Sequence, residues 1–160
     1  MAEQKTNVMR VLEKQKITYT PHEYPHGDTA VDGVTVASLI GKEPDAVFKT
    51  LVARGASRSI LVFVIPVTGE LDLKKAAKAA GEKSVEMIHV AEINALTGYV
   101  RGGCSPVGMK KQYRTFLDGS ALAQPTIVVS AGKIGAQVEL APDDLIRLTR
   151  AGYASLTKES

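Results

Sequence analysis

Residues 47–66, which read VFKTLVARGASRSILVFVIP, decide the fold. The segments 47–53 and 59–66 are rich in β-branched residues, and the short polar stretch 54–58 separates them. This pattern predicts two antiparallel strands joined as a hairpin of moderate loop length. In the first strand, period-two alternation places Lys49 on one side and Thr50 on the other, so each face is apolar apart from one polar residue.

Helical and extended segments interleave around this hairpin. Capping residues, glycine stops and a first-turn proline predict helices after Thr6, at 35–40, 73–80 and 91–96, and from Pro142 to about Arg150. Further strands are predicted within 17–24, 85–88, 126–130 and 137–140. The order lacks the strict βαβ rhythm of a doubly wound sheet. It therefore predicts the α/β (α+β) class, with one domain over residues 1–160 and a mixed β-sheet flanked by helices.

The composition is that of an ordinary globular domain, with 44% hydrophobic and 23% charged residues among 160. The first residues, MAEQKTNVMRVLEKQ, are charged throughout and lack the apolar stretch of a signal peptide. The longest apolar run, 60–67, is far too short to span a bilayer. Cys104 is the only cysteine, and the three histidines show no ligand spacing. We therefore expect a cytoplasmic protein with no membrane segment, metal or cofactor.

A basic segment stands out in the charge distribution. The formal net charge is +3 and the pI is near 9.0, which permits a polyanionic partner without requiring one. Between Tyr99 and Phe116 there is no acidic residue, and a phosphate contact is one interpretation of the basic side chains there. A solvated basic loop that binds nothing is the other. The basic residues are Arg101, Lys110, Lys111 and Arg114.

Lys49 is unusual because it lies in an otherwise apolar strand. Either the strand is at a sheet edge and the ammonium group reaches water, or the side chain points into a pocket where its charge has a use. The residue pattern alone leaves both interpretations open.

Two glycine-rich segments lie in the second half of the chain. The glycine loop (residues 98–108) holds four glycines and a proline, so its backbone N–H groups could approach an oxyanion or phosphate closely. It is not a P-loop, and a plain turn between strands is as consistent with these residues. The serine turn (residues 130–135) begins with Ser130, which could donate to a bound carbonyl or simply cap the turn.

A thiol nucleophile is the last chemical candidate. Cys104 could be activated by one of the histidines, yet no cysteine-hydrolase signature surrounds it, and a lone cysteine is more often a small buried apolar residue. The candidate bases would be His22, His26 and His89.

Several blocks, taken in order, resemble the YbaK/EbsC family of aminoacyl-tRNA deacylases. Those blocks are 12–14 (LEK) with Ile17 and Tyr24, 47–51 (VFKTL), 69–78 (GELDLKKAAK), 97–99 (TGY), 102–111 (GGCSPVGMKK) and 129–135 (VSAGKIG). The resemblance runs from about residue 6 to residue 150. It implies a mixed sheet partly closed like a barrel, and an enzyme that removes cysteine mischarged onto proline tRNA in trans.

The resemblance also implies a mechanism and a site. The thiol of the substrate attacks its own ester, so no protein nucleophile is needed. Lys49 matches the functional lysine, and the implied substrate-binding residues are Tyr24, Thr50, Gly102, Gly103, Ser105, Ser130 and Gly132. The implied partners are aminoacylated tRNA(Pro) and, as a further candidate, prolyl-tRNA synthetase, with no DNA. For such a substrate the basic residues of the charged segment, Arg101, Lys110, Lys111 and Arg114, are the predicted tRNA contacts.

The sequence departs from the family pattern at two positions. Gln137 stands where some relatives carry an acidic residue, and Cys104 stands where an aliphatic residue is familiar. Three alternatives therefore stay open: a deacylase for another amino acid such as alanine, a non-catalytic module that binds tRNA or a synthetase, and a Schiff-base enzyme that uses Lys49.

Overall fold

The computed structural model describes residues 5–27 and 29–159, and there helices and strands interleave as the sequence predicts. Residues 1–4, 28 and 160, which the predicted domain includes, lie outside the described residues. The helices are α1 (Asn7–Lys14), α2 (Gly33–Ile40), α3 (Leu73–Ala80), α4 (Val90–Thr97) and α5 (Pro142–Thr149), with 3-10 turns at Pro44–Ala46 and Gly119–Ala123. The strands are β1 (Thr20–Glu23), β2 (Phe48–Gly55), β3 (Ile60–Pro66), β4 (Val85–Met87), β5 (Arg114–Asp118), β6 (Ile127–Lys133), β7 (Ala136–Leu140) and β8 (Gly152–Ala154).

Local capping chemistry sets the helix ends. The Thr6 hydroxyl accepts the Met9 N–H at the start of α1, and the Asp72 carboxylate accepts two N–H groups at the start of α3. Gly81 ends α3 in the left-handed conformation, with φ of 70°, which glycine adopts without steric cost. Helix α2 starts two residues earlier than predicted, at Gly33, because Asp32 caps it by accepting the Thr35 N–H at 3.0 Å.

The predicted hairpin forms the centre of a five-stranded mixed sheet with the order β4-β2-β3-β5-β8. Strand β2 pairs antiparallel with both β3 and β4, whereas β3–β5 and β5–β8 are parallel pairs. Strands β5 and β8 were not predicted. Both are short, and their pairing depends on strands distant in the sequence rather than on a local turn.

The second sheet is antiparallel and three-stranded, with the order β1-β7-β6. The two sheets meet at an isolated bridge between Val47 and Val128. A register shift interrupts β6 between Ser130 and Lys133, and such bulges bend a strand. The sheet is not closed: the barrel-like closure that the resemblance implied is replaced by two open sheets, which one backbone bridge links and whose facing side chains pack in a shared core.

Alternation along β3 divides the interior into two main cores. Val62 and Val64 face the three-stranded sheet and pack in a cluster with Val129, while Phe63 and Ile65 face α3 in another. All four β3 side chains are fully buried, which anchors the sheet between the two layers. No helix in the described part of the chain has the length and apolarity needed to cross a membrane.

Candidate active site at the open edge of the sheet

A cleft of about 500 Å³ lies where the edge of β2 is left uncovered. Strand β4 pairs only with residues 53–55 of β2, and β6 meets this edge only at Val47. Between these points the edges of β2 and β6 enclose the cleft, with the start of α2 and the glycine loop completing its wall. The volume is that of a typical small-molecule site.

Lys49 lines this cleft and is half-buried. Within the described residues its ammonium group makes no ion pair and no hydrogen bond. Lys49 lies where β4 leaves the edge of β2 uncovered, and it lines the cleft there, whereas its catalytic role stays a prediction. An unpaired ammonium group in a partly enclosed site is available to a negatively charged or polar ligand.

Neutral polar side chains line the same cleft as Lys49. Tyr24 and Gln137 line the cleft, are 5% and 6% exposed, and have no side-chain hydrogen bond to another described residue. Ser130 pairs with Gln137 across the strands, and its Oγ accepts the Gly132 N–H at 3.1 Å. Ser130 therefore caps the turn, and its hydroxyl hydrogen is still available for donation to a ligand.

Thr50 contributes its backbone to the open edge. Val52 turns its carbonyl toward β4, where the Ile88 N–H donates to it at 3.3 Å. Because backbone groups alternate sides along a strand, Thr50 directs its N–H and C=O to the same edge, into the cleft. The Thr50 Oγ1 is buried and has no hydrogen-bond partner in the described chain, an arrangement that costs on the order of 1–3 kcal/mol.

The glycine loop contributes mainly through close packing. Gly102 lines the cleft, and a Cβ there would lie 2.6 Å from the Ala30 Cβ. Gly103 and Ser105 do not line it: a Cβ on Gly103 would lie 2.9 Å from the Lys133 backbone, and the buried Ser105 Oγ accepts the Val107 N–H at 3.2 Å. These two residues hold the loop in shape.

Gly132 also lies outside the cleft lining and has φ of 101°. A Cβ there would approach the Tyr99 ring at 3.1 Å. Glycine at this position lets the serine turn pack beneath the glycine loop.

Cys104 lines the cleft but is poorly suited to act as a nucleophile. Burial raises the pKa of its thiol to about 11, and the hydrogen bond with Thr97 offsets only part of that effect. At neutral pH only about one thiol in ten thousand would be ionised.

The histidines do not supply a base for Cys104. None of them is among the described residues that line the cleft. His22 Nε2 lies 2.8 Å from Glu139 Oε1, and His26 Nδ1 lies 2.8 Å from the Gly27 carbonyl oxygen. The described residues also contain no group of three or more His, Cys, Asp or Glu side chains that could hold a metal ion.

The structure separates the four basic residues that the sequence grouped together. Arg101 lines the cleft, whereas Lys111 lines a different cavity of about 210 Å³. Lys110 is exposed, with its aliphatic chain near Gly98. The Arg114 Nη1 donates to the Ala80 carbonyl at 2.9 Å, and its guanidinium lies 5.4 Å from the centre of the Phe116 ring.

Asp32 is a cleft residue that sequence reasoning missed. Among the described residues lining the cleft, it is the one that carries a carboxylate. Hydrogen bonds from the Thr35 hydroxyl and N–H lower the pKa of Asp32, so it is ionised at neutral pH. The N-cap signal of an aspartate before a helix was present, but nothing local indicates that the start of α2 reaches the site. Gly33 allows that approach, since a Cβ there would lie 2.2 Å from Val67 Cγ1.

Comparison with known proteins gives a consistent result. Residues 26–148 match the family model described as aminoacyl-tRNA editing domain. EbsC of Enterococcus faecalis, named provisionally as a Cys-tRNA(Pro)/Cys-tRNA(Cys) deacylase, is 47% identical over 155 residues, which cover 97% of this chain and 94% of EbsC. YwhH of Bacillus subtilis, named as uncharacterized, is 28% identical over 109 residues, 68% of this chain and 69% of YwhH.

A solved structure agrees with these sequence relatives. A crystal structure described as a provisional trans-editing enzyme for prolyl tRNA synthetase superimposes with a TM-score of 0.82 and 26% sequence identity. The superposition covers 95% of both chains.

Proposed function

This chain belongs to the family of aminoacyl-tRNA editing domains, and from that premise we propose that it is a trans-editing deacylase that removes cysteine mischarged onto tRNA(Pro). Its 47% identity to EbsC, over nearly the whole of both chains, supports the choice of cysteine. The fold shared with a trans-editing protein for prolyl tRNA synthetase supports the choice of tRNA.

The observation that carries the proposal is the composition of the cleft. It presents the unpaired ammonium group of Lys49, the charged groups of Arg101 and Asp32, and neutral hydrogen-bonding groups, while its one thiol, on Cys104, is held in the protonated form. Such a site is suited to bind and orient a polar ester and to stabilise negative charge that develops on it. It is poorly suited to form a covalent aminoacyl-protein intermediate.

The substrate itself supplies the nucleophile in this mechanism. The cysteinyl thiol loses its proton and attacks the ester carbonyl carbon, so that a carbon–sulfur bond forms. The bond from that carbon to the ribose oxygen then breaks, and the ribose oxygen takes up a proton. The products are a cyclic thiolactone and tRNA with a free terminal hydroxyl.

The protein's role is orientation and charge stabilisation. Lys49 and the backbone N–H of Thr50 would stabilise the developing oxyanion. Gly102 would keep the glycine loop packed against Ala30 at the wall of the cleft. Tyr24, Ser130 and Gln137 orient the aminoacyl group. Gly103, Ser105 and Gly132 contribute indirectly, because they hold the two turns that form the wall.

The proposal also names partners and a location. The tRNA would contact Arg101 at the cleft and extend toward Lys110, Lys111 and Arg114. Prolyl-tRNA synthetase is a further proposed partner, in line with the description of the structural relative. We place the activity in the cytoplasm, where charged tRNA is made and used.

The direct test is a deacylation panel with Cys-, Ala- and Pro-charged tRNA(Pro). We expect rapid release of cysteine and slow release of alanine and proline, because neither of these carries a thiol. Faster release of alanine would assign the enzyme to another specificity. Release of none of the three, with tRNA still bound, would instead support a non-catalytic binding module.

The substrate-thiol mechanism has its own test. Cys104→Ala should keep most activity on Cys-charged tRNA(Pro), whereas a Ser-charged analogue should react poorly with the wild-type protein, because a hydroxyl is far less nucleophilic than a thiol. An inactive but folded Cys104→Ala protein and an aminoacyl group detected on Cys104 by mass spectrometry would contradict this mechanism.

A further inference from the structure

A cationic rim, consisting of Arg101 and Lys133, lies where the glycine loop packs on the serine turn. A Cβ on Gly103 would lie 2.9 Å from the Cα and carbonyl carbon of Lys133, and a Cβ on Gly102 would lie 3.4 Å from Ile134 Cγ1. The two segments are thus in backbone contact. Arg101 and Lys133 are both exposed, and Arg101 also lines the cleft, so the rim continues into the site.

The charges of the rim are not neutralised within the described chain. Neither Arg101 nor Lys133 makes an ion pair or a side-chain hydrogen bond there. Two acidic residues face the region. Glu23 and Lys133 both pair with Ala136, from opposite sides of β7. Their backbones are therefore two strand spacings, or roughly 10 Å, apart. The Asp32 carboxylate accepts hydrogen bonds from Thr35.

The size of the cleft determines which part of a charged tRNA it can hold. A volume of about 500 Å³ suits an aminoacyl group with its terminal nucleoside. The phosphates of the preceding nucleotides must therefore lie outside the cleft, on the surface around its mouth. Single-stranded nucleic acid is bound through such positively charged tracks.

We propose that Lys133, together with Arg101, binds phosphates of the single-stranded 3′ end of the charged tRNA and so aligns the ester with the cleft. This inference rests on the proposed function. It adds Lys133, which the sequence did not single out, and it sets the path of the strand over the contact between the glycine loop and the serine turn.

The other basic residues of the segment are placed less favourably for this first contact. Arg114 is occupied by the Ala80 carbonyl and the Phe116 ring. Lys111 lines the separate cavity. They and Lys110 remain available to more distant parts of the tRNA, whereas Lys133 is in direct backbone contact with the wall of the site.

The test compares binding and catalysis in Lys133→Gln with a matched control. Lys78→Gln removes the same charge from an exposed position on α3, which packs on the other face of the five-stranded sheet. The dissociation constant of uncharged tRNA(Pro) is measured as a function of salt, and deacylation of Cys-charged tRNA(Pro) is measured in parallel. Lys133→Arg tests whether a positive charge is sufficient.

For Lys133→Gln we expect the slope of log affinity against log salt to fall by about 0.7, and affinity at 0.1 M salt to fall about fivefold, the contribution of one phosphate contact on a single strand. KM should rise by a similar factor while kcat stays within about twofold. Lys78→Gln and Lys133→Arg should behave like the wild type.

Two outcomes separate this inference from the proposed function. Lys133→Gln could leave tRNA affinity and its salt slope unchanged while the Lys110→Gln/Lys111→Gln double variant loses affinity. That result would overturn the proposed role of the rim and leave the deacylase function standing. If Lys133→Gln weakens tRNA binding but the wild-type protein releases no amino acid, the rim is supported and the deacylase function is overturned.

Discussion

Thr50 combines a buried hydroxyl that has no partner with a place beside the cleft. Replacement by the isosteric valine should raise the free energy of unfolding by about 1 kcal/mol, because the uncompensated burial of the hydroxyl is removed. Deacylation by Thr50→Val should fall if the hydroxyl finds its partner in the bound substrate. Urea unfolding and single-turnover rates measure the two effects.

Thr115→Val provides the matched control for this experiment. The buried Thr115 hydroxyl donates to the Tyr113 carbonyl at 3.0 Å, so its loss should destabilise the protein by about 1 kcal/mol. A Thr50→Val protein that is less stable than the wild type would show that the Thr50 hydroxyl is satisfied in the free enzyme.

At the residue scale, sequence reasoning is strongest where chemistry is local. Lys49 stands out in the sequence because it is an isolated lysine in an apolar strand. Ser130 stands out because it lies just before a glycine in a predicted turn, which it caps in the structure. Asp32 and Lys133 could not be identified in this way, because their place at the site depends on contacts between segments far apart in the chain. The basic run 101–114 looked continuous in the sequence, but folding directs its side chains to different partners.

At the scale of elements, the wall of the cleft depends on the contact between the glycine loop and the serine turn. Gly103→Ala should lower stability by about 1–3 kcal/mol, because the new Cβ would lie 2.9 Å from the Lys133 backbone, which cannot move as a flexible side chain would. Activity should fall with it, since the wall of the cleft shifts. Thermal unfolding and deacylation rates test this.

Gly152→Ala is the control for the loop. A Cβ at Gly152, in β8, meets no atom within 4 Å, so this variant should match the wild type in both measurements. Equal melting temperatures and rates for Gly103→Ala and Gly152→Ala would show that the loop contact is looser than described.

Elements with strong local signals could be predicted, and those without could not. Caps at Thr6 and Asp72, the glycine stops and the 47–66 hairpin were all visible in the sequence and are confirmed. Strands β5 and β8 were missed, because parallel pairing at three to five residues leaves little local pattern. The open arrangement of the two sheets likewise leaves no local pattern, because it depends on pairing between strands that are distant in the sequence.

At the scale of the whole molecule, Glu139 joins parts of the chain that surround the site. Burial alone would raise its pKa, but hydrogen bonds from Thr126, His22 and Lys42 outweigh that effect and lower the pKa to about 2. His22 belongs to β1, Glu139 to β7, and Lys42 follows α2. The carboxylate thus connects the helix that starts at the cleft to the three-stranded sheet.

Removing this charge should produce a stability difference that depends on pH. The folded pKa is depressed, so the stabilisation is present above the ordinary value of 4.5 and is lost as pH falls through about 2. Glu139→Gln should therefore be less stable than the wild type by on the order of 2–3 kcal/mol at pH 7, with a smaller difference near pH 2.

Urea unfolding of both proteins between pH 2 and pH 7 checks this dependence. Glu70→Gln is the control, because the Glu70–Lys158 pair is exposed and 3.4 Å long, and surface pairs contribute little. If the loss in free energy of unfolding caused by Glu139→Gln stayed constant across this pH range, the effect would not be electrostatic.

The most direct test of the central claim is the single-turnover rate of cysteine release from Cys-charged tRNA(Pro) by wild type and Lys49→Ala. We predict a rate lower by about 10²–10³ in Lys49→Ala, the usual cost of removing one group that stabilises a developing oxyanion. The melting temperature should be unchanged, because the Lys49 side chain has no partner among the described residues. A folded Lys49→Ala protein that releases cysteine at the wild-type rate would contradict the account.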